Sequence, residues 1–317
     1  MKLSLVVPCY NEEENVARFF EEVNAVFRAN HIRDYEFVFV NDGSADNTLK
    51  NLKSIYEANW KTHAIKVLSF SRNFGKEAAI YAGLQKAEGD LVCLIDADLQ
   101  QRPEVVVEML GYLEADETLD CVTAYQKKRK ENKLLSAIKS AFYKIINKIS
   151  DVPFVNGASD FRLLRRNMVD AILAMTEYHR FSKGLFSYVG FNTKYIPYQV
   201  AQRERGESKW SVKSLFKYAI EGILSFSTMP LKIATFVGFF CSFGSILYLF
   251  VVLIQKLAFG IAVPGYATIV ILILLIGGIQ LFCMGMLGEY IAKMYVQTKN
   301  RPIYILKEYL SDDEKKH

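Results

Sequence analysis

The chain has 317 residues, of which 51% are hydrophobic and 23% charged, with 18 glycines and 7 prolines. This composition excludes a disordered, collagenous or low-complexity chain, and the length allows about two domains. Lys and Arg number 39 against 34 Asp and Glu, but the surplus is local: Lys127 to Lys148 holds eight basic residues and one acid, Glu131, which excludes a uniformly basic nucleic-acid binder.

Taken in order, the N-terminus shows no secretory leader: the apolar run Leu3–Val7 is short and stops at Pro8. Similar runs follow at Tyr35–Val40, Ile65–Phe70, Leu91–Ile95 and Cys121–Ala124, with the length and β-branched or aromatic content of buried strands. Helical patterns lie between them at Glu13–Arg28, Thr48–Tyr56, Glu77–Lys86 and Glu104–Leu113. Alternating strands and helices predict an α/β domain with a mostly parallel sheet, whose ligands bind beyond the carboxyl ends of the strands. Cys9, Cys93, Cys121, Cys241 and Cys283 form no C-x-x-C pair, which argues against a disulfide framework or zinc site and for reduced thiols.

The last third differs. Ile233–Ile254 and Ala267–Leu287 are nearly free of charge and, at about 1.5 Å per residue, each spans roughly 30 Å, the thickness of a bilayer core; both predict transmembrane helices rather than buried core helices. Lys213, Lys217 and Lys232 precede the first run, Lys293, Lys299 and Arg301 follow the second, and the connection offers only Lys256. The positive-inside rule then places the α/β domain and both termini in the cytoplasm, with the chain multi-pass in the cytoplasmic membrane. Gly238, Ser242 and Ser245 fall on one helix face, and Gly278, Gly285 and Gly288 on one face of the other; such stripes permit close packing and a homo-oligomer. Leu134, Ile138, Phe142, Ile145 and Ile149 recur at helical spacing among lysines, so residues 133–149 read as a basic amphipathic helix, lying either on an anionic membrane surface or on the domain core. A second amphipathic stretch, Ser211–Thr228, leads into the first membrane run. The domain plan is therefore an α/β unit over 1–210, a juxtamembrane helix over 211–229, a membrane hairpin over 230–290 and a tail over 291–317.

Polar clusters follow the strands. Asp96-Ala97-Asp98 and Gln100 follow the fourth. Two carboxylates there suit a hard divalent cation, which takes oxygen ligands; the alternative is a turn or cap before Pro103. Asn41-Asp42-Gly43-Ser44 follows the second strand, where turn and cap chemistry also fits. After the first strand come Pro8, Cys9, Tyr10, Asn11 and Glu12, with Asn11 and Glu14 spaced as a capping box. Arg72-Asn73-Phe74-Gly75-Lys76 follows the third; Lys76 is placed either to reach a phosphate or as a surface lysine beside a glycine turn. Arg203 to Trp210, with Arg203, Arg205 and Lys209 around Gly206, is either a phosphate clamp or a solvated charge run.

Together these stretches, with Ser159-Asp160-Phe161-Arg162-Leu163, resemble the family-two glycosyltransferases of GT-A nucleotide-diphosphosugar fold, and within them the polyprenyl-phosphate glycosyltransferases, such as the bactoprenol glucosyltransferase and dolichol-phosphate mannose synthase group. The resemblance implies that Pro8, Tyr10, Asn11, Glu12, Asp42, Lys76, Asp96 and Ala97 bind the nucleotide sugar. It implies that Asp98, Gln100 and Asp96 hold Mg²⁺ or Mn²⁺, and that Asp98, Asp160, Arg203 and Lys209 serve catalysis. Arg203 and Lys209 would grip the acceptor phosphate. An arginine expected after the fifth strand is absent, because Tyr125 and Gln126 stand there, and Lys127, Lys128 or Arg129 takes that role. Gln101-Arg102 replaces an Asp-Pro usual in such relatives, and Ser159 a glycine.

The implied reaction is inverting transfer of one sugar, glucose or N-acetylglucosamine, from a UDP donor to undecaprenyl phosphate. Its product would be a lipid-phosphate monosaccharide for cell-envelope glycan modification. The alternatives are a processive polysaccharide synthase and a non-catalytic membrane scaffold of the same fold. Nucleic acid is not an expected partner; the bilayer is.

Overall fold

A computed structural model describes residues 1–126, 158–199, 227, 229–259 and 265–311. These fall into two compact units. The first holds the described residues up to 199 together with 301–311, and the second the rest. The predicted basic helix 133–149 and nearly all of the juxtamembrane helix 211–229 lie outside the described residues.

The first unit is an eight-stranded sheet with helices on both faces. In chain order its elements are β1 (Leu3–Cys9), α1 (Val16–Ala29), β2 (Tyr35–Asn41), α2 (Thr48–Asn59), β3 (Ala64–Phe70), α3 (Lys76–Lys86), β4 (Leu91–Leu94), α4 (Pro103–Ala115) and β5 (Cys121–Gln126). Then come β6 (Ala158–Arg165), α5 (Arg166–Ala174), α6 (Ser182–Tyr188) and β7 (Thr193–Tyr198). Strand β8 (Leu306–Leu310) returns after the second unit's helices, so the segment drawn from sequence as a tail contributes an edge strand. The order is β7-β5-β6-β4-β1-β2-β3-β8. Strands β4, β1, β2 and β3 run parallel in register, β7 pairs parallel with β5, and only β6 and β8 are antiparallel to their neighbours.

The strands read as unbroken apolar runs because both faces are covered. Leu5, Val7, Phe37 and Phe39 pack with Phe19, Phe27 and Met109 on one face. Val6, Val38, Val40 and Leu68 pack with Ala79, Ala82, Met168 and Ile172 on the other. Gly83 of α3 lies so near β1 that an added Cβ would come within 2.2 Å of Val6.

Strands β6, β7 and β8 carry no sequence assignment. In β6, Phe161, Leu163 and Leu164 are fully buried, but Asp160, Arg162 and Arg165 interrupt the apolar run that would have marked it. All five cysteines are free thiols.

The second unit contains α7 (Met229–Phe259) and α8 (Tyr266–Thr298). Two stretches, Leu231–Ala258 and Leu275–Thr298, are long and apolar enough to cross a membrane, and neither is buried within the protein. Phe236, Phe239, Phe240, Phe243, Leu281 and Phe282 are exposed, the surface expected where lipid replaces water as solvent. Gly238, Ser242 and Ser245 face a groove shared with Ile279, Gln280 and Cys283 of α8. Gly278 of α8 lines a neighbouring groove with Ile233, Ala234 and Val237.

Candidate active site

The order β4-β1-β2 makes the gap between β1 and β4 the switch point of the sheet, since the chain leaves β1 towards β2 on one side and meets β4 on the other. The polar clusters converge at that end.

The loop after β1 is tied to the loop after β2. Asn11 takes a left-handed conformation (φ 55°), its N–H donates to Ser44 Oγ at 3.0 Å, and its Oδ1 accepts from Ala45 N–H at 2.9 Å. This corrects the capping box. Asn11 is spent on bracing the neighbouring loop, and α1 starts only at Val16, with Asn15 in the N-cap position and no side-chain cap bond. Glu12 N–H donates to Thr48 Oγ1 at 2.8 Å, and its Oε2 accepts from Asn15 Nδ2 at 2.7 Å. Glu13 accepts from Asn47 at its backbone and side-chain nitrogens, both at 2.9 Å. Pro8 is half-buried in β1, and Tyr10 stands 39% exposed at its end.

Asp42 braces a second loop. Its buried carboxylate accepts from the backbone N–H of Phe74 (2.6 Å) and of Gly75 (2.9 Å). Burial pushes its carboxyl up, against the pull of these two donors and of Arg72. Gly43 makes the close approach possible: with φ +61°, an added Cβ would lie 2.3 Å from the carbonyl carbon of Arg72. Gly43→Ala is therefore expected to displace the β3–α3 loop and destabilise the unit by about 2 kcal/mol or more, measured as a lowered thermal midpoint with a raised KM for donor.

Lys76 lies at the centre. Its ammonium contacts Asp96 Oδ1 at 2.7 Å and Oδ2 at 2.9 Å, and Asp160 Oδ2 at 3.4 Å. Lys76 begins α3, Asp96 follows β4 and Asp160 lies in β6, so three elements meet at one cation. Gln101 completes the grip on Asp96: its Nε2 donates to Asp96 Oδ2 at 2.9 Å, and its Oε1 accepts from Asp96 N–H at 2.9 Å. The residue that departs from the usual pattern of such relatives thus has a defined task. So has Ser159, whose hydroxyl donates to the Ala124 carbonyl at 2.7 Å, where β5 and β6 slip register. Asp98 Oδ1 accepts from Gln100 N–H at 3.1 Å across a turn in which Leu99 has φ 56°. Ala97 is buried beneath this turn. Of the alternative reading, a turn or cap before Pro103, the turn forms at Asp98 and the cap does not, because Arg102 occupies the N-cap position of α4.

The charges explain one another. Burial opposes the Lys76 charge, but Asp96 and Asp160 outweigh it and hold the ammonium well above the usual lysine range. Burial pushes the Asp96 carboxyl up despite Lys76. For Asp160, burial acts in the same direction, but Lys76, Lys183 and Arg162 prevail and hold the carboxyl below its ordinary range. Glu77, next to Lys76, is pushed up to about 7 by burial and by the neighbouring Asp160.

Asp96, Asp98 and Asp160 stand against Lys76, with Lys183 and Arg162 also acting on Asp160. No three His, Cys, Asp or Glu side chains among the described residues form a closed metal cage. A Mg²⁺-type ion needs no such cage, because it binds through one or two carboxylates plus substrate phosphates. Asp98 and Gln100 carry oxygens of the type such an ion takes, and Asp96 is engaged by Lys76 and Gln101. Asp160 Oδ1 is buried without a hydrogen-bond partner, an acceptor suited to a substrate hydroxyl.

The structure therefore brings Asp96, Lys76 and Asp160 together with Asp98 beside them, Gln100 reaching Asp98 only through its backbone N–H, and Asp42, Asn11 and Glu12 bracing the neighbouring loops. Lys127, Lys128, Arg129, Arg203 and Lys209 lie outside the described residues. Sequence reasoning gave no role to Gln101, Glu77 or Ser182; for Glu77 the signal was its place directly after Lys76.

A mostly parallel α/β sheet with an Asp-x-Asp turn at its switch point is the architecture of a GT-A-type transferase, and the same chain carries two helices of membrane-spanning length. The chain belongs to the glycosyltransferases of family 2: the model Glycosyl transferase family 2 matches residues 4–173, and the model GtrB C-terminal hairpin matches residues 229–294. Among similar proteins, the putative glycosyltransferase CsbB of Bacillus subtilis is 42% identical, the alignment covering 96% of this chain and 91% of that one. The SfII prophage-derived bactoprenol glucosyl transferase of Shigella flexneri is 42% identical over 97% of this chain and 98% of its own. The prophage bactoprenol glucosyl transferase homolog of Escherichia coli is 40% identical over 97% and 99%.

Proposed function

We propose that the protein transfers one sugar, glucose or N-acetylglucosamine, from a UDP donor to a polyprenyl phosphate such as undecaprenyl phosphate, with inversion at the anomeric carbon. The observation that carries this reading is the Asp96–Lys76–Asp160 cluster beside Asp98 at the sheet's switch point, joined in one chain to two helices of membrane-spanning length. The similarity to bactoprenol glucosyl transferases over nearly the whole chain supports it. A membrane hairpin keeps the enzyme at the bilayer that holds the acceptor, with the catalytic unit and both termini on the cytoplasmic side, as the lysine distribution predicts. The lipid-linked monosaccharide then serves cell-envelope glycan modification.

In this reading the loops braced by Asn11, Glu12 and Asp42 receive the nucleoside, with Pro8 and Tyr10 along β1's end. Asp98 and Gln100 hold Mg²⁺ or Mn²⁺. When bound, the ion supplies positive charge for the departing diphosphate. Asp96 holds Lys76, which faces the same diphosphate, and Asp160 Oδ1 accepts a sugar hydroxyl. Arg203, Lys209 and the basic residues Lys127, Lys128 and Arg129 add cations for the phosphates. The acceptor is a phosphate monoester, already anionic near neutral pH, so the chain needs charge stabilisation more than a strong base.

The test is UDP release by the purified full-length protein. Release is expected to require polyprenyl phosphate, to fail with the unphosphorylated polyprenol, to stop with EDTA and to return with Mn²⁺. Release at one rate with and without the phosphate would contradict the acceptor assignment, and EDTA-resistant transfer would contradict the metal.

A further inference from the structure

Helix α6 is fastened to the first turn of α3. The backbone N–H of Ser182 donates to Glu77 Oε2 at 2.9 Å, and the Ser182 hydroxyl donates to the same oxygen. From the other side, the Arg162 guanidinium of β6 lies 3.7 Å from the centre of the Phe186 ring of α6. These two attachments fix the residue after Ser182, which is Lys183. Lys183 is half-buried, and its charge is one of those that act on Asp160. The neighbouring cations are committed. Lys76 is held by two carboxylates. Arg162 is buried, donating to the Ser159 carbonyl and packed on Phe186. Arg180 donates to the carbonyls of Met175 and Ile172. Lys183 pairs with no acid among the described residues. A cation held by its own helix beside the Lys76–Asp160 cluster, with no ion pair among the described residues, is suited to a substrate phosphate.

We propose that Lys183 binds a phosphate group of the substrates at this site and that Glu77, acting through Ser182, is the residue that positions it. The inference rests on the site being the phosphate-handling site described above. The phosphate belongs either to the donor diphosphate or to the acceptor monoester, and the two are told apart by which KM responds.

The experiment compares wild type, Lys183→Ala, Lys183→Arg, Ser182→Ala and Glu77→Gln as full-length proteins, each checked by its thermal midpoint, with KM measured separately for UDP-sugar and polyprenyl phosphate. Lys183→Ala is expected to raise one KM about 10- to 100-fold, the range for a lost charge-assisted hydrogen bond, while Lys183→Arg stays within a few-fold of wild type. Ser182→Ala, which removes only the hydroxyl, and Glu77→Gln are expected to raise the same KM by a smaller factor, and to add nothing in the Lys183→Ala background. A rise in donor KM assigns the diphosphate, and a rise in acceptor KM the monoester. If wild type turns over and Lys183→Ala leaves both KM values within twofold, the inference fails and the transfer reaction stands. If Glu77→Gln and Ser182→Ala move a KM that Lys183→Ala does not, the positioning role fails. A wild type that forms no lipid-linked sugar would instead overturn the reading of the site itself.

Discussion

Lys76→Met is expected to reduce sugar transfer by about a thousandfold, the scale of losing a preorganised charge at a reacting centre. The side chain that remains fills similar space but leaves Asp96 facing Asp160 without the cation that now contacts both, at 2.7 and 3.4 Å. Two consequences separate this from simple unfolding. The Asp160 carboxyl, now held below its ordinary range against burial, rises when Lys76 is removed. Any step that needs Asp160 ionised then requires a higher pH, so the acid limb of the pH–rate profile moves upward in the variant. Stability follows the same sign. A carboxyl with a depressed pKa stabilises the fold above its unfolded pKa, and that contribution is lost as pH falls through the folded value. The variant loses the contribution, so its thermal midpoint should fall furthest below wild type above the acid range and approach it as pH falls. A rate within tenfold of wild type would show that Lys76 is only a structural tie.

Asp98→Asn is the second substitution with a large expected effect. Asp98 has one oxygen accepting from Gln100 N–H at 3.1 Å across the turn after β4. Asparagine preserves the turn but removes the charge a divalent cation requires. Transfer is expected to fall at least about a hundredfold, with activity no longer responding to added Mn²⁺, while the thermal midpoint changes little. A carboxylate beside a diphosphate repels it unless a cation intervenes. Asp98→Asn should therefore weaken Mn²⁺-dependent donor binding more than metal-free binding in calorimetric titrations. Normal turnover in this variant would remove Asp98 from the metal assignment.

Much of the fold was legible because its central strands are covered on both faces. Val6 and Val7 are both buried, on opposite sides, so the apolar runs stood out and the polar clusters at their ends followed. The membrane-length helices were legible for the simpler reason that no charge interrupts Ile233–Ile254 or Ala267–Leu287 within them. What escaped is tertiary. Strand β6 hides behind Asp160 and Arg162, whose charges are tolerated because Lys76 and the Phe186 ring receive them. Strand β8 is identified by its pairing with β3 and by Tyr304 stacked 4.9 Å from Phe70, a contact between residues more than two hundred positions apart. The site was legible as residues but not as roles. Asn11 has the sequence of a cap and the structure of a loop brace, and Lys76 spans two carboxylates through a register no local pattern encodes.

The central claim is that one sugar moves to a lipid phosphate. Its most direct test is mass spectrometry of the lipid after the purified protein is incubated with undecaprenyl phosphate, Mn²⁺ and UDP-glucose or UDP-N-acetylglucosamine in turn. The predicted result is undecaprenyl phosphate heavier by a single hexose or a single N-acetylhexosamine, with one donor only. A ladder of added sugars, or an unmodified lipid with every donor tried on folded protein, would contradict it.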